Sequence, residues 1–160
     1  KEHDVAVNAT ADDAASAKLS AIQKGYFKDD FMRYFATASP SRRSPLINRG
    51  YYSRVLLVRR IIAQFLDSVS SEGCKAQIIS FGSGMDTTFF NLKSGVIKGY
   101  EALGGYFEVD MADIIEKKRA TIQRNPALQE MVDAKEPGGG CGLTLVAGDL
   151  RDPGALERAL

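Results

Sequence analysis

A strand-like segment that runs into a glycine turn has the clearest chemical potential in this sequence. Residues 76–81 are short, apolar and β-branched in the middle, and Gly82-Ser83-Gly84 follows them directly. Glycine lets a backbone approach a ligand closely because it has no Cβ. In open α/β sheets, ligands bind beyond the carboxyl ends of the strands. The turn therefore predicts a site for a nucleotide or an adenosyl group.

The residues after the turn disfavour two phosphate-binding motifs. The dinucleotide fingerprint has a third glycine three residues after the second, and Thr87 occupies that position here. A phosphate loop needs a Gly-Lys-Ser/Thr tripeptide, and none follows this strand. An S-adenosylmethionine site needs no pyrophosphate cradle, so the shorter turn suits that cofactor. The alternative for the turn taken alone is a plain loop.

Acidic residues follow two further predicted strands. Glu108 and Asp110 lie at the end of a strand predicted over residues 106–110, where an acid can accept hydrogen bonds from both ribose hydroxyls. Asp149 follows a strand predicted over residues 143–147 and is placed to meet the adenine edge. The alternative for Asp149 is simple capping of the next helix.

The order of elements after residue 76 predicts a parallel α/β sheet. The three strands alternate with helices predicted near residues 87–92, over 112–123 and from Asp152-Pro153 onward, with a connector at 137–142. Such alternation is typical of parallel strands joined by helical crossovers. Three strands make half of a doubly wound sheet. We therefore expect the chain to be the N-terminal portion of its protein.

Helices are predicted ahead of the sheet. Residues 1–11 are expected to be loose, and Asp12 or Asp13 to cap a helix ending near Gly25. A short helix and a loop at 39–45 precede a longer helix over residues 48–69. The short helix carries Phe31, Tyr34 and Phe35, and the apolar stripe of the longer one comprises Val55, Val58, Ile62, Phe65, Leu66 and Val69. The predicted division is a helical extension or lid over 1–70 and the first half of a cofactor-binding domain over 71–160.

Composition excludes several classes of function. The net charge of +1 offers no field for nucleic acid or an anionic membrane. Cys74 and Cys141 form no C-x-x-C pair and His3 is the single histidine, so a zinc site is not expected. No apolar run approaches the length of a membrane span, and no signal peptide opens the sequence. These features predict a cytoplasmic protein with free thiols.

Five blocks of the sequence resemble the leucine carboxyl methyltransferase family. The most specific runs from Arg43 to Arg54 and contains Ile-Asn-Arg-Gly-Tyr. The others follow in family order across nearly the whole chain and comprise residues 12–18, Gly25-Tyr26, residues 78–89, and residues 107–110 with 149–152. The resemblance implies a class I, Rossmann-like methyltransferase fold with added N-terminal helices.

The resemblance also implies roles for particular residues. Lys18 and Arg54 would hold the methionine carboxylate of S-adenosylmethionine, and Gly82 would line the methionyl and ribose region. Asp110 would bind the ribose hydroxyls, and Asp149 with Leu150 would address the adenine. For the two cations the alternative is a solvated helix face.

The implied reaction is methyl esterification of the C-terminal leucine carboxylate of the protein phosphatase 2A catalytic subunit. That carboxylate is already ionised at neutral pH, so it needs no general base. Catalysis by positioning is therefore expected, and no residue is singled out as acid or base. Two alternatives stay open: a tRNA-modifying relative that acts in wybutosine synthesis, and a non-catalytic module that binds the cofactor or the phosphatase.

Overall fold

The computed structural model describes residues 2–36, 43–133 and 141–152, together with Gly154 and Glu157. Six helices and three strands lie within these residues, along with a 3-10 turn at Tyr100–Ala102. In chain order they are α1 (Glu2–Gln23), α2 (Met32–Phe35), α3 (Pro45–Ser71), β1 (Ala76–Phe81), α4 (Thr88–Lys93), β2 (Leu103–Asp110), α5 (Ala112–Gln123), α6 (Pro126–Asp133) and β3 (Leu143–Ala147).

The strands form one parallel sheet in the order β1-β2-β3. Ile78 lies opposite Tyr106, which in turn lies opposite Leu143. Parallel pairing brings the carboxyl ends of all three strands to one edge. The mixed helix and strand architecture with a parallel sheet is confirmed, and it is consistent with a methyltransferase-like α/β fold.

Aromatic side chains fill the core between the sheet and the helices. Phe89 and Phe90 of α4 are fully buried, with ring centroids 5.5 Å apart. Phe89 also lies 5.6 Å from Tyr106 of β2, and Phe90 lies 5.7 Å from Phe35 of α2. Full burial of a side chain of this size contributes about 1.5–3 kcal/mol. The short helices α2 and α4 are therefore held by packing, because neither is long enough to be stable alone.

The long helix α3 begins where its sequence favours a start. Ser44 is the N-cap, since its Oγ accepts a hydrogen bond from the Ile47 backbone N–H at 3.4 Å, and Pro45 occupies the first turn. Near the other end, Leu66 is fully buried against Gly99. A Cβ on Gly99 would lie 2.7 Å from the Leu66 Cβ, so only glycine fits there.

The predicted apolar stripe of α3 is only partly buried. Ile62 and Val69 pack beside Leu66 against the core. Val58 and Phe65 are 43% and 47% exposed, so their expected burial is wrong for this chain. Val58 instead lines a cavity beside the helix.

Several predicted boundaries are also wrong. Helix α1 is already formed at Glu2, so residues 2–11 are helical rather than loose, and Asp12 and Asp13 lie inside the helix instead of capping it. Helix α6 was not predicted from the sequence, and β2 begins three residues earlier than predicted. Residues 39–42 of the predicted loop at 39–45 lie outside the described part of the chain. The same holds for residues 137–140 of the predicted connector at 137–142. No helix in the described ranges is long and apolar enough to cross a membrane.

The carboxylate of Asp29 joins three helices. Its Oδ1 accepts the backbone N–H groups of Phe31 and Met32, each at 3.1 Å, at the start of α2. Its Oδ2 accepts the Thr87 hydroxyl at 2.6 Å, the Asn91 amide at 3.0 Å and an Arg59 N–H of α3 at 3.3 Å. Asp29 is only 7% exposed, so its charge is buried and is compensated by these five hydrogen bonds, one of them from a cation.

Replacing Asp29 with alanine should therefore unfold the protein far more easily than replacing its exposed neighbour Asp30. Breaking a buried charge pair from one side typically costs about 3–5 kcal/mol. Asp30→Ala should stay within about 0.5 kcal/mol of the wild type, as is usual at surface positions. Denaturant unfolding measures both, and equal losses for the two variants would disprove the joining role of Asp29.

Candidate functional site

The glycine turn has a conformation that only glycine adopts easily. The φ angles of Gly82 and Gly84 are +63° and +54°, in the left-handed region. The backbone N–H groups of Gly82 and Ser83 donate to the Val109 carbonyl at 2.9 and 3.3 Å. Steric crowding does not explain Gly82, since a Cβ there would have no atom within 4 Å. Backbone geometry therefore explains this glycine, and the open side of the turn faces a cavity.

Asp110 holds the second glycine of the turn. Its Oδ2 accepts the Gly84 backbone N–H at 2.6 Å, and its Oδ1 accepts the Met111 N–H at 2.7 Å. The side chain is 9% exposed and lines the same cavity as the turn. The end of β2 thus carries a fixed carboxylate beside the end of β1, as the parallel register predicted.

The cavity has a volume of about 530 Å³ and lies between the glycine turn and the helices α1 and α3. Pockets that take small organic ligands have volumes of about 300–1,000 Å³. One wall is formed by Ala11, Ala14, Ala15 and Lys18, which share one face of α1. Three alanines on that face let the helix lie close to the turn without filling the space.

Four of the six predicted cofactor residues line this one cavity. They come from four separate parts of the chain and are Lys18, Arg54, Gly82 and Asp110. Arg54 makes no hydrogen bond or ion pair with any residue that the structure describes. Its side chain is exposed, so a guanidinium is available to an anion in the cavity. The binding roles of all four stay predictions.

Lys18 is paired within the protein. Its Nζ lies 3.2 Å from Asp86 Oδ2. The other oxygen of Asp86 accepts the Thr88 backbone N–H at 2.7 Å. Burial alone would raise the pKa of Asp86. The positive charges of Lys18 and Lys118, with the hydrogen bond from Thr88, outweigh burial and lower that pKa to about 2. Asp86 is therefore a carboxylate at neutral pH.

Glu108 is not available to a ligand. It is fully buried and forms an ion pair with Lys118, which is also fully buried. The prediction that an acid at the end of β2 binds the ribose hydroxyls is therefore wrong for Glu108. For Asp110 it stays a prediction. Burial raises the pKa of Glu108 to about 7, although the charge of Lys118 opposes the rise.

Asp149 and Leu150 lie away from the cavity lining. Arg151 covers Asp149, with its Nη2 2.6 Å and its Nε 3.0 Å from Oδ2. These hydrogen bonds hold the pKa of Asp149 at about 2. Leu150 is 46% exposed. The structure does not bring these two residues together with the other four, and their role at the adenine stays a prediction.

Two acids in the cavity wall, Asp29 and Asp86, were not among the predicted cofactor residues. Asp86 follows the turn by two residues, and that proximity was the available signal. Asp29 lies in an Asp-Asp pair between α1 and α2, and nothing in the sequence distinguishes it from Asp30. Only the fold shows that Asp29 is buried and Asp30 is exposed.

Comparison with known proteins agrees with this architecture. The family profile described as leucine carboxyl methyltransferase matches residues 6–160. A leucine carboxyl methyltransferase 1 homolog of Arabidopsis thaliana is 44% identical over 81% of the chain and 37% of its own length. Leucine carboxyl methyltransferase 1 of Rattus norvegicus is 33% identical over 98% of the chain and 48% of its own length. A tRNA wybutosine-synthesizing protein 4 of Homo sapiens is 35% identical over 83% of the chain and 19% of its own length.

The chain belongs to the leucine carboxyl methyltransferase family. It spans less than half the length of each of these three relatives.

The Glu108–Lys118 pair should make stability depend on pH. Folding raises the pKa of Glu108 from 4.5 to about 7, so protonated Glu108 stabilises the folded state. This contribution to the free energy of unfolding is fully present below about pH 4.5 and is lost as pH rises through about 7. The free energy of unfolding of the wild type relative to Glu108→Gln should therefore fall across this window. Denaturant unfolding at about pH 5 and about pH 8 tests this linkage.

Glu116→Gln is the matched control, because Glu116 is an exposed acid on α5 paired with Arg119. Its pH profile should run parallel to that of the wild type. A parallel profile for Glu108→Gln as well would show that Glu108 does not titrate in this window.

Proposed function

We propose that this chain forms the cofactor-binding part of an S-adenosylmethionine-dependent methyltransferase. The proposed reaction esterifies the C-terminal leucine carboxylate of the protein phosphatase 2A catalytic subunit. One observation carries the cofactor proposal: Lys18, Arg54, Gly82 and Asp110, distant in sequence, line a single cavity at the carboxyl ends of β1 and β2. Membership of the leucine carboxyl methyltransferase family supports the reaction.

The donors and acceptors of the cavity fit this cofactor. The exposed guanidinium of Arg54 suits a carboxylate, which it can bind through two parallel hydrogen bonds. The fixed carboxylate of Asp110 suits ribose hydroxyls. The turn at Gly82 leaves its open side without a Cβ. The cavity presents both cationic and anionic side chains, as an adenosyl group joined to an amino acid requires. The turn lacks the sequence of a phosphate loop, and this ligand carries no phosphate.

The proposed chemistry needs little from the protein beyond binding and orientation. S-adenosylmethionine supplies an electrophilic methyl group on a sulfonium. The acceptor carboxylate is ionised at neutral pH, so no base has to remove a proton. Among the described residues, those that line the cavity include no histidine. Helices α1 and α3 flank the turn and exclude water from one side of the site, which strengthens the charge interactions there.

Arg54→Ala should weaken binding of S-adenosylmethionine by about 2 kcal/mol or more, because it removes one partner of a charge pair that the ligand desolvates. Arg60→Ala is the matched control, since Arg60 lies on the same helix, is exposed and does not line the cavity. Calorimetry on both variants measures the loss. Unchanged affinity in Arg54→Ala would remove this residue from the site.

The reaction itself is tested by transfer of a labelled methyl group. Incubation of the protein with labelled S-adenosylmethionine and the phosphatase catalytic subunit should label the subunit at its C-terminus. An ester is cleaved by mild base, so the label should be released by base. A catalytic subunit that lacks its terminal leucine should take up no label. Label that resists base would contradict carboxyl methylation.

A second function is supported by one of the comparisons. The human relative that is 35% identical over 83% of the chain is named for wybutosine synthesis, which takes place in tRNA. The labelling experiment distinguishes the two, because label in tRNA and none in the phosphatase subunit would favour the tRNA reaction. A third function, binding without catalysis, would be favoured by tight cofactor binding with no label in either acceptor.

A further inference from the structure

The cavity wall presents a positive and a negative charge side by side. Lys18 and Asp86 both line it, with Nζ and Oδ2 3.2 Å apart. An amino acid carries an ammonium and a carboxylate on one carbon, so its receptor needs neighbouring charges of both signs. We infer that Asp86 binds the α-ammonium of the cofactor's amino-acid group while Lys18 binds the carboxylate. This inference rests on the proposed cofactor.

Both side chains keep hydrogen-bonding capacity for a ligand. A carboxylate has about four acceptor positions, and among the described residues Asp86 uses three, for Lys18 and for the backbone and side chain of Thr88. An ammonium has three donors, and Lys18 uses one in that part of the chain. Their side chains are 25% and 21% exposed. The Lys18–Asp86 pair can therefore stay intact while each member makes a second contact.

The position of Asp86 is fixed from behind. Lys118 is fully buried, and its Nζ donates to the Asp86 backbone carbonyl at 2.6 Å. The same ammonium is paired with Glu108. Four charges therefore alternate in sign from the core to the cavity, in the order Glu108, Lys118, Asp86 and Lys18. The arrangement holds the last two charges at the cavity wall.

The other two acids that line the cavity suit an ammonium less well. Asp29 already accepts five hydrogen bonds, and its side chain is 5% exposed. Asp110 is tied by the backbone N–H groups of Gly84 and Met111 and is 9% exposed. Asp29 has Arg59 beside it, but that guanidinium already donates to Asp29 and to the Lys28 carbonyl. Asp86 keeps an acceptor position and lies beside the ammonium of Lys18.

A purely structural role for Asp86 makes a different prediction. If its carboxylate only holds the turn by accepting the Thr88 N–H, its loss would weaken every ligand of the cavity alike. If it binds the ammonium, its loss would weaken only ligands that carry that group. Asp86→Asn keeps the shape and an acceptor oxygen for Thr88 but removes the charge.

The experiment measures binding to the purified protein by calorimetry with three thioether probes. They are S-adenosylhomocysteine, its analogue without the α-amino group, and 5′-methylthioadenosine, which lacks the whole amino-acid group. In the wild type, removal of the α-amino group should weaken binding about tenfold, as expected for one charge-assisted hydrogen bond. In Asp86→Asn the affinities for the first two probes should differ by about twofold or less. The affinity for 5′-methylthioadenosine should be the same in Asp86→Asn and in the wild type.

Asp30→Asn is the control, because Asp30 is an exposed acid that does not line the cavity, and it should keep the full tenfold difference. Equal weakening of all three probes by Asp86→Asn would overturn the inference, and so would an unchanged penalty for the missing amino group. If Asp86→Asn fails to fold, the wild type decides alone, since equal binding of the first two probes excludes an ammonium site. A wild type that binds none of the probes would instead contradict the proposed cofactor.

Discussion

The buried carboxylate of Asp29 is the interaction on which the arrangement of this chain depends. It takes donors from the start of α2, from Arg59 of α3 and from Thr87 and Asn91 at α4. Arg59 also donates to the Lys28 carbonyl at 2.8 Å. Because Arg54 lies on the same helix as Arg59, this junction helps to fix the position of Arg54 at the cavity. A buried carboxylate is stable only when all of its donors are in place, so the Asp29 junction specifies one arrangement of the three helices.

The alternating charges behind the cavity show why a buried ion pair is kept here. Two fully buried charges gain little net stability, since desolvation offsets most of their attraction. What the Glu108–Lys118 pair does provide is a fixed donor under the Asp86 carbonyl. Hydrogen bonds to the end of β2 and an ammonium below Asp86 thus hold the turn from two sides. Position, rather than stability, is the contribution of the pair.

The sequence predicted the sheet and the glycine turn well because both are determined locally. A buried strand that ends in two glycines has few alternatives, and the boundaries of β1, α5 and β3 are confirmed. Burial in the helical region depends on contacts far apart in sequence, so Val58 and Phe65 were misjudged. The same reason hid the burial of Asp29, whose side-chain partners lie 30, 58 and 62 residues away, and the pairing of Asp86 with Lys18, 68 residues away. Charge pairing across such distances leaves no local pattern.

The long-range contacts of α1 also have a kinetic consequence. The glycine turn and Asp110 are 26 residues apart, whereas Lys18 and Asp86 are separated by 68 and Asp12 and Lys117 by 105. Closing longer loops loses more chain entropy, so we expect the turn to form before α1 docks. Contacts that are absent from the folding transition state act on the unfolding rate. A ligand held between α1 and the turn would therefore lengthen the lifetime of the native state without speeding its formation.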